Sequence, residues 1–224
     1  MSHKNTLIRW WWVRHAPVAW GGVYIYGHTD LACDCSDGAA FATLAARLPA
    51  APAVVLCSAL RRTHETCAAL TAAGWNAPAP RVEPALAEQA FGAWEGLRWE
   101  EVQTGPEGAA FWASPFTHRP PGGESFLDVV ARVQGVVERL LREQSGSDGV
   151  DIVALAHAGS IRAALSLALD LTPGQAHAIA LAPLSLTRLD HVCGNWRVEG
   201  VNIPSQNANK LSRQQHIRQF RQWI

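Results

Sequence analysis

The sequence has no excess of charge of either sign. Its 224 residues carry 19 Lys and Arg against 19 Asp and Glu, so the formal net charge is zero. Without a global electrostatic field, the protein has no general attraction to nucleic acid or to an anionic membrane surface. No apolar run approaches the roughly 20 residues that a membrane-spanning helix requires, and segment 1–15 lacks the features of a signal peptide. We therefore expect neither a nucleic-acid nor a membrane partner.

Cysteine is scarce, and its spacing follows no paired pattern. The five cysteines form no C-x-x-C motif, which argues against a disulfide framework and against a zinc ribbon. Such thiols suit a reducing compartment, so we expect a cytoplasmic protein. A G-x-x-x-x-G-K-[ST] loop is absent, and we predict no nucleotide or other cofactor. A metal site built on His15, His64 and His157 would have arginine neighbours that repel a cation, so we predict no metal.

The sequence does contain an alternation of short apolar strands and helices. With 48% hydrophobic residues, the chain can bury a core in one domain, which we assign to 1–204. The predicted strands are 6–13, 53–57, 150–156, 184–192 and 195–202, and the predicted helices are 36–49, 61–74, 124–144 and 160–171. This order predicts an α/β fold with three layers, αβα, and a mainly parallel sheet covered by helices on both faces. The first helix would be capped by Ser36, and segment 75–123 shows no regular pattern.

Reactive side chains follow three of the predicted strands. Arg14 and His15 come directly after the first strand, in "WWWVRH". "SALRRT" at 58–63 follows the second, and His157 follows the strand at 150–156. Because ligands bind beyond the carboxyl ends of parallel strands, these side chains would meet at one edge of the sheet. The alternative, that Arg14 and His15 are ordinary surface residues, does not explain why the other strands end in the same way.

Arginines and helix N-termini at one edge of a sheet form a site for a tetrahedral dianion. A neutral histidine beside a bound phosphate can attack phosphorus and form a phosphohistidine. The leaving alkoxide then needs a proton from a carboxylic acid. "LAEQAFGAWEG" at 86–96 offers Glu88 and Glu95 as candidates, although either could be an ordinary solvated carboxylate.

Five segments in this order resemble the histidine phosphatase superfamily, which includes cofactor-dependent phosphoglycerate mutase. They are "VRHAP" (13–17), "SALRRTHET" (58–66), "LAEQAFGAWEG" (86–96), "PGGESFLDVVARV" (121–133) and "LAHAGSIRAAL" (155–165). The resemblance implies that His15 is the nucleophile and Glu88 the proton donor, with Glu95 structural. It also implies a phosphate site formed by Arg14, Arg62 rather than Arg61, and His157, which we also count as catalytic.

The resemblance implies a small phosphomonoester as the ligand, with α-ribazole 5′-phosphate as one candidate. "YGHTD" at 26–30 keeps a pattern of the α-ribazole phosphatase branch. We assign Tyr26, Gly27, Ser58 and Ala158 to the substrate pocket. The sequence departs from the family at Ala16 and Ala158, where the family has glycine, and at Gly21, where it often has asparagine.

Three functions remain open from the sequence. The first is a metal-independent phosphatase acting through a phosphohistidine. The second is a phosphomutase, which returns the phosphoryl group to the substrate instead of to water. The third is a phosphate-binding module without catalysis.

Three further segments carry predictions. "PGGES" at 121–125 would form a turn that leads into the cap of the following helix. The alternative is that Glu124 or Ser125 also lies near the phosphate. The outer wall of the pocket would come from 18–35 and 97–120. Trp20, Trp94, Trp99 and Trp112 lie in segments without a regular pattern and could either form an apolar wall over the leaving group or simply pack in the fold. The basic extension 205–224 has apolar residues at helical spacing. It could dock on the domain, on a second subunit in a homodimer or on a partner, or remain solvated.

Overall fold

The computed structural model describes residues 6–147 and 149–205. The strands are β1 (Leu7–Arg14), β2 (Val54–Cys57), β3 (Arg81–Val82), β4 (Val150–Ala156), β5 (Leu186–Val192) and β6 (Asn195–Ile203). The α-helices are α1 (Gly38–Ala45), α2 (Arg61–Ala72), α3 (Trp99–Gln103), α4 (Pro106–Ala113), α5 (Phe126–Glu143), α6 (Ala158–Leu169) and α7 (Pro173–His177). Two short 3₁₀ turns, Pro84–Leu86 and Gly92–Trp94, lie between β3 and α3.

The strands form a single six-stranded sheet in the order β3-β2-β4-β1-β5-β6. The first four strands in this order are parallel to one another, and β5 and β6 are antiparallel additions at one edge. Strand β1 lies at the centre, where Trp10 is opposite Ile152 of β4 on one side and Leu189 of β5 on the other. The prediction of a mainly parallel α/β sheet is confirmed.

Both faces of the sheet are covered by helices, as predicted. On one face, Trp10 and Trp12 of β1 are buried against residues such as Val133 of α5 and Ile161 of α6. On the other face, Val13 packs in a cluster with residues of α1 and α2, among them Leu70. Neighbouring side chains of a strand point to opposite faces, so the central β1 contributes to both clusters.

Several boundaries differ from the predicted ones because of capping interactions. Helix α1 is capped by Asp37 instead of Ser36, since the Asp37 side chain accepts a hydrogen bond from the amide of Ala40. Helix α6 begins at Ala158, two residues before the predicted start, with reciprocal capping contacts between His157 and Ser160. The segment "TPGQ" at 172–175, where the sequence predicts no helix, begins α7, and Thr172 and Gln175 form a capping box there.

Segment 75–123 contains more structure than predicted. Strand β3, both 3₁₀ turns and helices α3 and α4 lie within it. Helices α3 and α4 are held by a separate aromatic cluster that includes Phe91, Trp94 and Phe111. The predicted basic extension falls almost entirely on 206–224, outside the described residues. No helix within the described ranges is long and apolar enough to cross a membrane.

Candidate active site

The carboxyl ends of β1, β2 and β4 bring three of the predicted residues together. His15 follows β1 and donates its amide to the carbonyl of Ala156 at 3.0 Å. Ser58 follows β2, and its Oγ lies 2.7 Å from Nε2 of His157, which follows β4. The rings of His15 and His157 are 5.1 Å apart between centroids. The parallel order of these strands therefore brings the three side chains together at one edge of the sheet.

His15 is buried and has one ring nitrogen without a partner. Only 1% of the residue is exposed, and Nδ1 lies 2.6 Å from the carbonyl oxygen of Ala16. If Nδ1 carries the proton, it donates to that carbonyl and leaves a lone pair on Nε2. Nε2 has no hydrogen-bond partner among the described residues. Burial, followed by the positive charges of Arg14 and Arg62, holds the pKa of His15 well below its usual value.

His157 is fixed by hydrogen bonds on both ring nitrogens. Nε of Arg62 donates to Nδ1 at 3.2 Å, so the proton of a neutral ring lies on Nε2, facing Ser58. Burial, with the charge of Arg62 next in importance, holds the pKa of His157 well below its usual value. The contact with Ser58 also corrects the prediction that Ser58 belongs to the substrate pocket. Ser58 is completely buried beside His157 and does not line the pocket.

Arg62, and not Arg61, points into the site. Arg62 is fully buried, and its terminal nitrogens donate to the carbonyls of Thr29 and Gly27 at 2.9 and 2.6 Å. Its guanidinium lies over the ring of Tyr26, 5.2 Å from the centroid. Arg61 is exposed and pairs with Glu65. The structure therefore places the two arginines as the sequence predicted.

Arg14 lies at the wall of the cavity beside this site. Its Nη1 donates to the carbonyl of Leu181, and its Nε is buried without a hydrogen-bond partner among the described residues. Together with Arg62, Arg14 makes the surroundings of His15 strongly cationic.

Glu88 is positioned by the first turn of α6. Its Oε1 accepts a hydrogen bond from the amide of Gly159 at 2.8 Å. A Cβ on Gly159 would lie 2.2 Å from that oxygen, so only glycine allows this contact. Ala158 begins α6, and neither it nor Ala16 has a positive φ angle. Alanine therefore causes no backbone strain at the two positions where the family has glycine.

Glu95 has a different environment from Glu88. Its Oε1 accepts from the amides of His28 and Phe91 at 2.8 and 3.1 Å, and its Oε2 accepts from the hydroxyl of Thr29 at 2.7 Å. The same loop supplies the carbonyls that hold Arg62. Glu95 thus fixes the loop at 27–29, in agreement with the structural role expected for it.

An arginine that the sequence did not identify holds the segment carrying Glu88. Arg132 of α5 donates to the carbonyls of Ala85, Ala87 and Glu88 at 2.8 to 2.9 Å. It also forms an ion pair with Glu124 at 2.9 Å. Burial alone would raise the pKa of Glu124, but hydrogen bonds and the charge of Arg132 bring it below its usual value. Glu124 therefore holds the Arg132 side chain in place. The neighbouring Ser125 caps α5, as predicted.

A cavity of about 580 Å³ opens next to the buried residues. Arg14, Glu88 and Ala158 form part of its wall, while His15, Arg62 and His157 are buried behind it. Half of the remaining wall comes from the two predicted segments and includes Tyr24, Tyr26, Gly27, Trp99, Trp112 and Phe116. Most of the other half comes from 159–181, which the sequence did not predict as part of the wall.

Only two of the four tryptophans proposed for this wall line the cavity, namely Trp99 and Trp112. Trp94 is buried against Phe111, with 5.2 Å between ring centroids. Trp20 is 37% exposed and contacts Tyr24.

A model of the histidine phosphatase superfamily, branch 1, matches residues 10–204. The chain belongs to this superfamily. The match covers the strands and helices that form the site described above, and it confirms the resemblance found in the sequence. Across residues 6–147 and 149–205, no three His, Cys, Asp or Glu side chains are grouped so that they could hold a metal ion.

Proteins similar in sequence to this chain include several from mycobacteria. A bifunctional protein of Mycobacterium tuberculosis is 37% identical over 136 residues, which are 60% of this chain and 36% of that protein. The chain thus spans little more than a third of the length of this relative. A glucosyl-3-phosphoglycerate phosphatase of Mycolicibacterium vanbaalenii is 32% identical over 178 residues, covering 71% of this chain and 78% of that protein.

Solved structures show the same fold. An Escherichia coli protein assigned as an α-ribazole-5′-P phosphatase superposes with a TM-score of 0.76, covering 89% of this chain and 99% of that one. Its sequence identity is 19%, so this similarity shows the histidine phosphatase fold and carries no information about the substrate.

Proposed function

We propose that this histidine phosphatase hydrolyses a small phosphomonoester without a metal ion, through a phosphohistidine on His15. The main support for this proposal is the hydrogen bonding and the lowered pKa of the His15 ring. Its Nδ1 lies against the carbonyl of Ala16, and its Nε2 has no partner among the described residues. Its pKa is held well below the usual value by burial and by arginine charges. A neutral, oriented imidazole beside two guanidinium groups is suited to attack a bound phosphoryl group.

Arg14, Arg62 and His157 are proposed to hold the phosphoryl group. Guanidinium N–H groups donate to phosphoryl oxygens, and these bonds strengthen as charge spreads over the equatorial oxygens in the transition state. His157 would donate from Nε2, the nitrogen that now faces Ser58. Because His15 is 1% exposed, the phosphoryl group reaches Nε2 only if wall residues shift when the substrate binds.

Glu88 is proposed as the proton donor. In the first step, Nε2 of His15 bonds to phosphorus, the ester P–O bond breaks, and the leaving alkoxide takes the proton of the Glu88 carboxyl group. In the second step, water attacks phosphorus and gives a proton to the Glu88 carboxylate, and the P–N bond breaks. Inorganic phosphate leaves, and both residues return to their starting states.

Two substrates are candidates. The YGHTD segment supports α-ribazole 5′-phosphate, whose ring would pack on the aromatic wall of the cavity. The mycobacterial relatives support glucosyl-3-phosphoglycerate or a related ester. Both molecules place a ring beyond the phosphate, which fits a cavity of about 580 Å³. A screen of phosphorylated metabolites that includes both compounds would rank them by kcat/KM.

The proposal is tested by hydrolysis of 4-nitrophenyl phosphate in the presence of EDTA. We expect full activity for the wild type and none for His15→Ala, which should remain folded. Loss of activity with EDTA would contradict the metal-independent mechanism. If phosphoryl exchange between phosphoglycerates were faster than release of inorganic phosphate, the protein would be a mutase and not a phosphatase.

A further inference from the structure

The cavity wall contains a cation that the proposed chemistry does not use. Arg162 lies on α6 and lines the cavity. Its Nε donates to the carbonyl of Ile179 at 3.1 Å. The terminal nitrogens have no hydrogen-bond acceptor, and the side chain has no ion-pair partner, within the described part of the chain. Burial, followed by the charge of Arg14, lowers the pKa of Arg162 to about 10 in spite of the attraction of the Glu88 carboxylate, which forms no ion pair with it. The guanidinium is therefore charged at neutral pH.

Apart from Arg14 and the fully buried Arg62, both assigned to the phosphoryl group, the other partly buried arginines among the described residues have carboxylate partners. Arg9 pairs with Asp151, Arg132 with Glu124 and Arg188 with Asp190. A charge removed from water without a partner destabilises the folded state. Arg162 is therefore not explained by folding, and a ligand anion in the cavity would supply the missing partner.

The cavity is large enough for this anion to be separate from the phosphoryl group. Pockets of about 300 to 1,000 Å³ enclose whole small molecules, and this one measures about 580 Å³. His177 also lines the cavity near Arg162. Burial, with the charge of Arg162 next, lowers the pKa of His177 to about 4, so it adds no positive charge at neutral pH. Among the described residues that line the cavity, Arg162 is then the cation available to the leaving group, since Arg14 is assigned to the phosphoryl group.

We propose that Arg162 is a specificity residue that binds a carboxylate on the alcohol part of the substrate. The substrates would then be phosphomonoesters of hydroxy acids. This inference rests on the proposed phosphatase function. It favours a phosphoglycerate-type ester over α-ribazole 5′-phosphate, whose nucleoside carries no carboxylate. The aromatic wall formed by Trp99, Trp112 and Phe116 would strengthen the ion pair by excluding water.

A matched pair of esters tests the proposal. 3-Phosphoglycerate and glycerol 1-phosphate differ only in a carboxylate against a hydroxymethyl group. We expect the wild type to have the higher kcat/KM on 3-phosphoglycerate. Arg162→Gln should lose about 10- to 100-fold on 3-phosphoglycerate, the effect of losing one charge-assisted bond, and stay within twofold on glycerol 1-phosphate. Arg142→Gln, which removes an exposed arginine of α5, is the matched control and should change neither value.

Three results would overturn the assignment. Equal losses on both esters, together with weaker inhibition by inorganic phosphate, would place Arg162 at the phosphoryl group. No loss on 3-phosphoglycerate would remove Arg162 from substrate binding. Equal wild-type affinity for the two esters, as substrates or as competitive inhibitors of 4-nitrophenyl phosphate hydrolysis, would also contradict it. Failure of the proposed function is distinguishable, since the wild type would then hydrolyse 4-nitrophenyl phosphate no faster than His15→Ala.

Discussion

The guanidinium Nε of Arg62 donates to Nδ1 of His157 at 3.2 Å. This contact joins two residues that lie 95 positions apart in the chain. It fixes the proton of the neutral His157 ring on Nε2, the nitrogen proposed to contact the phosphoryl group. Arg62 therefore acts in two ways, as a charge beside His15 and as the partner that orients His157.

Replacing Arg62 should be far more damaging than replacing Arg61. Lysine at position 62 keeps the charge but cannot donate to His157, Thr29 and Gly27 together. We expect Arg62→Lys to lower kcat/KM for 4-nitrophenyl phosphate by about 100-fold or more, since several charge-assisted bonds are lost. Arg61→Lys should remain within threefold. A larger loss for Arg61→Lys would show that the assignment of this helix is shifted by one residue.

Glu88→Gln should separate esters by the quality of their leaving group. Alkyl phosphates need a proton on the leaving oxygen, whereas 4-nitrophenolate leaves unaided. We expect a loss of about 100-fold or more on alkyl phosphates and a much smaller one on 4-nitrophenyl phosphate in the first step. Single-turnover measurements on both substrates isolate that step. A uniform loss would remove Glu88 as the donor and make Glu95 the next candidate.

Gly159→Ala tests the position of Glu88 without changing its chemistry. The added Cβ would lie 2.2 Å from Oε1 of Glu88, so the carboxyl group must move away from the α6 amide. We expect the leaving-group pattern of Glu88→Gln to appear in this variant. Ala158→Gly, one residue earlier, is the control and should leave that pattern unchanged. Wild-type behaviour of Gly159→Ala would mean that the contact between Gly159 and Glu88 is dispensable.

Arg132→Met should affect both stability and proton donation. Its loss leaves Glu124 without its ion-pair partner and releases the carbonyls of the segment that carries Glu88. We expect the free energy of unfolding to fall by roughly 2 to 4 kcal/mol, with a selective loss on alkyl phosphates. Arg139→Met, on the same helix but more exposed, should cost less than about 1 kcal/mol. A stability loss with no change in leaving-group dependence would make Arg132 purely structural.

Folding stability should fall as the pH drops below about 6.5, the usual value for histidine. Burial lowers the pKa of His15, His157 and His177 in the folded state, so the unfolded chain binds more protons below pH 6.5. Each group then removes up to about 1.4 kcal/mol per pH unit until its folded pKa is reached. For His177 this loss of stability ends at about pH 4, where its folded pKa lies. Denaturant unfolding between pH 7.5 and 5 measures the slope, and His177→Gln should reduce it. An unchanged slope would contradict the burial of His177.

The part of the site that the sequence predicts is the part carried by strands. Strands β1 and β4 are mostly apolar and are followed directly by His15 and His157, and the parallel order places both ends together. Arg132 and Arg162 could not be found in this way. Their spacing only places them on helices, and the carbonyls that Arg132 binds lie 44 to 47 residues away in the chain.

The missed helices have local causes. Helices α3 and α4 contain 5 and 8 residues, too few to show a clear apolar period, and they are held by packing of Phe91, Trp94 and Phe111. Helix α7 begins with Pro173 and Gly174, which predict a turn when the capping pair Thr172 and Gln175 is not considered. Tertiary contacts and capping interactions therefore determine helices α3, α4 and α7, whereas apolar patterning determines the strands of the sheet.

The most direct test of the central claim is to trap the phosphohistidine. Wild-type protein is mixed with a ³²P-labelled phosphomonoester and quenched within milliseconds, and the label on the protein is examined for acid and base stability. The account predicts label that is lost in acid, is stable in base and maps to the peptide containing His15, and it predicts no label on His15→Ala. Equal labelling of His15→Ala, or rapid hydrolysis by the wild type with no trapped label at any quench time, would contradict it.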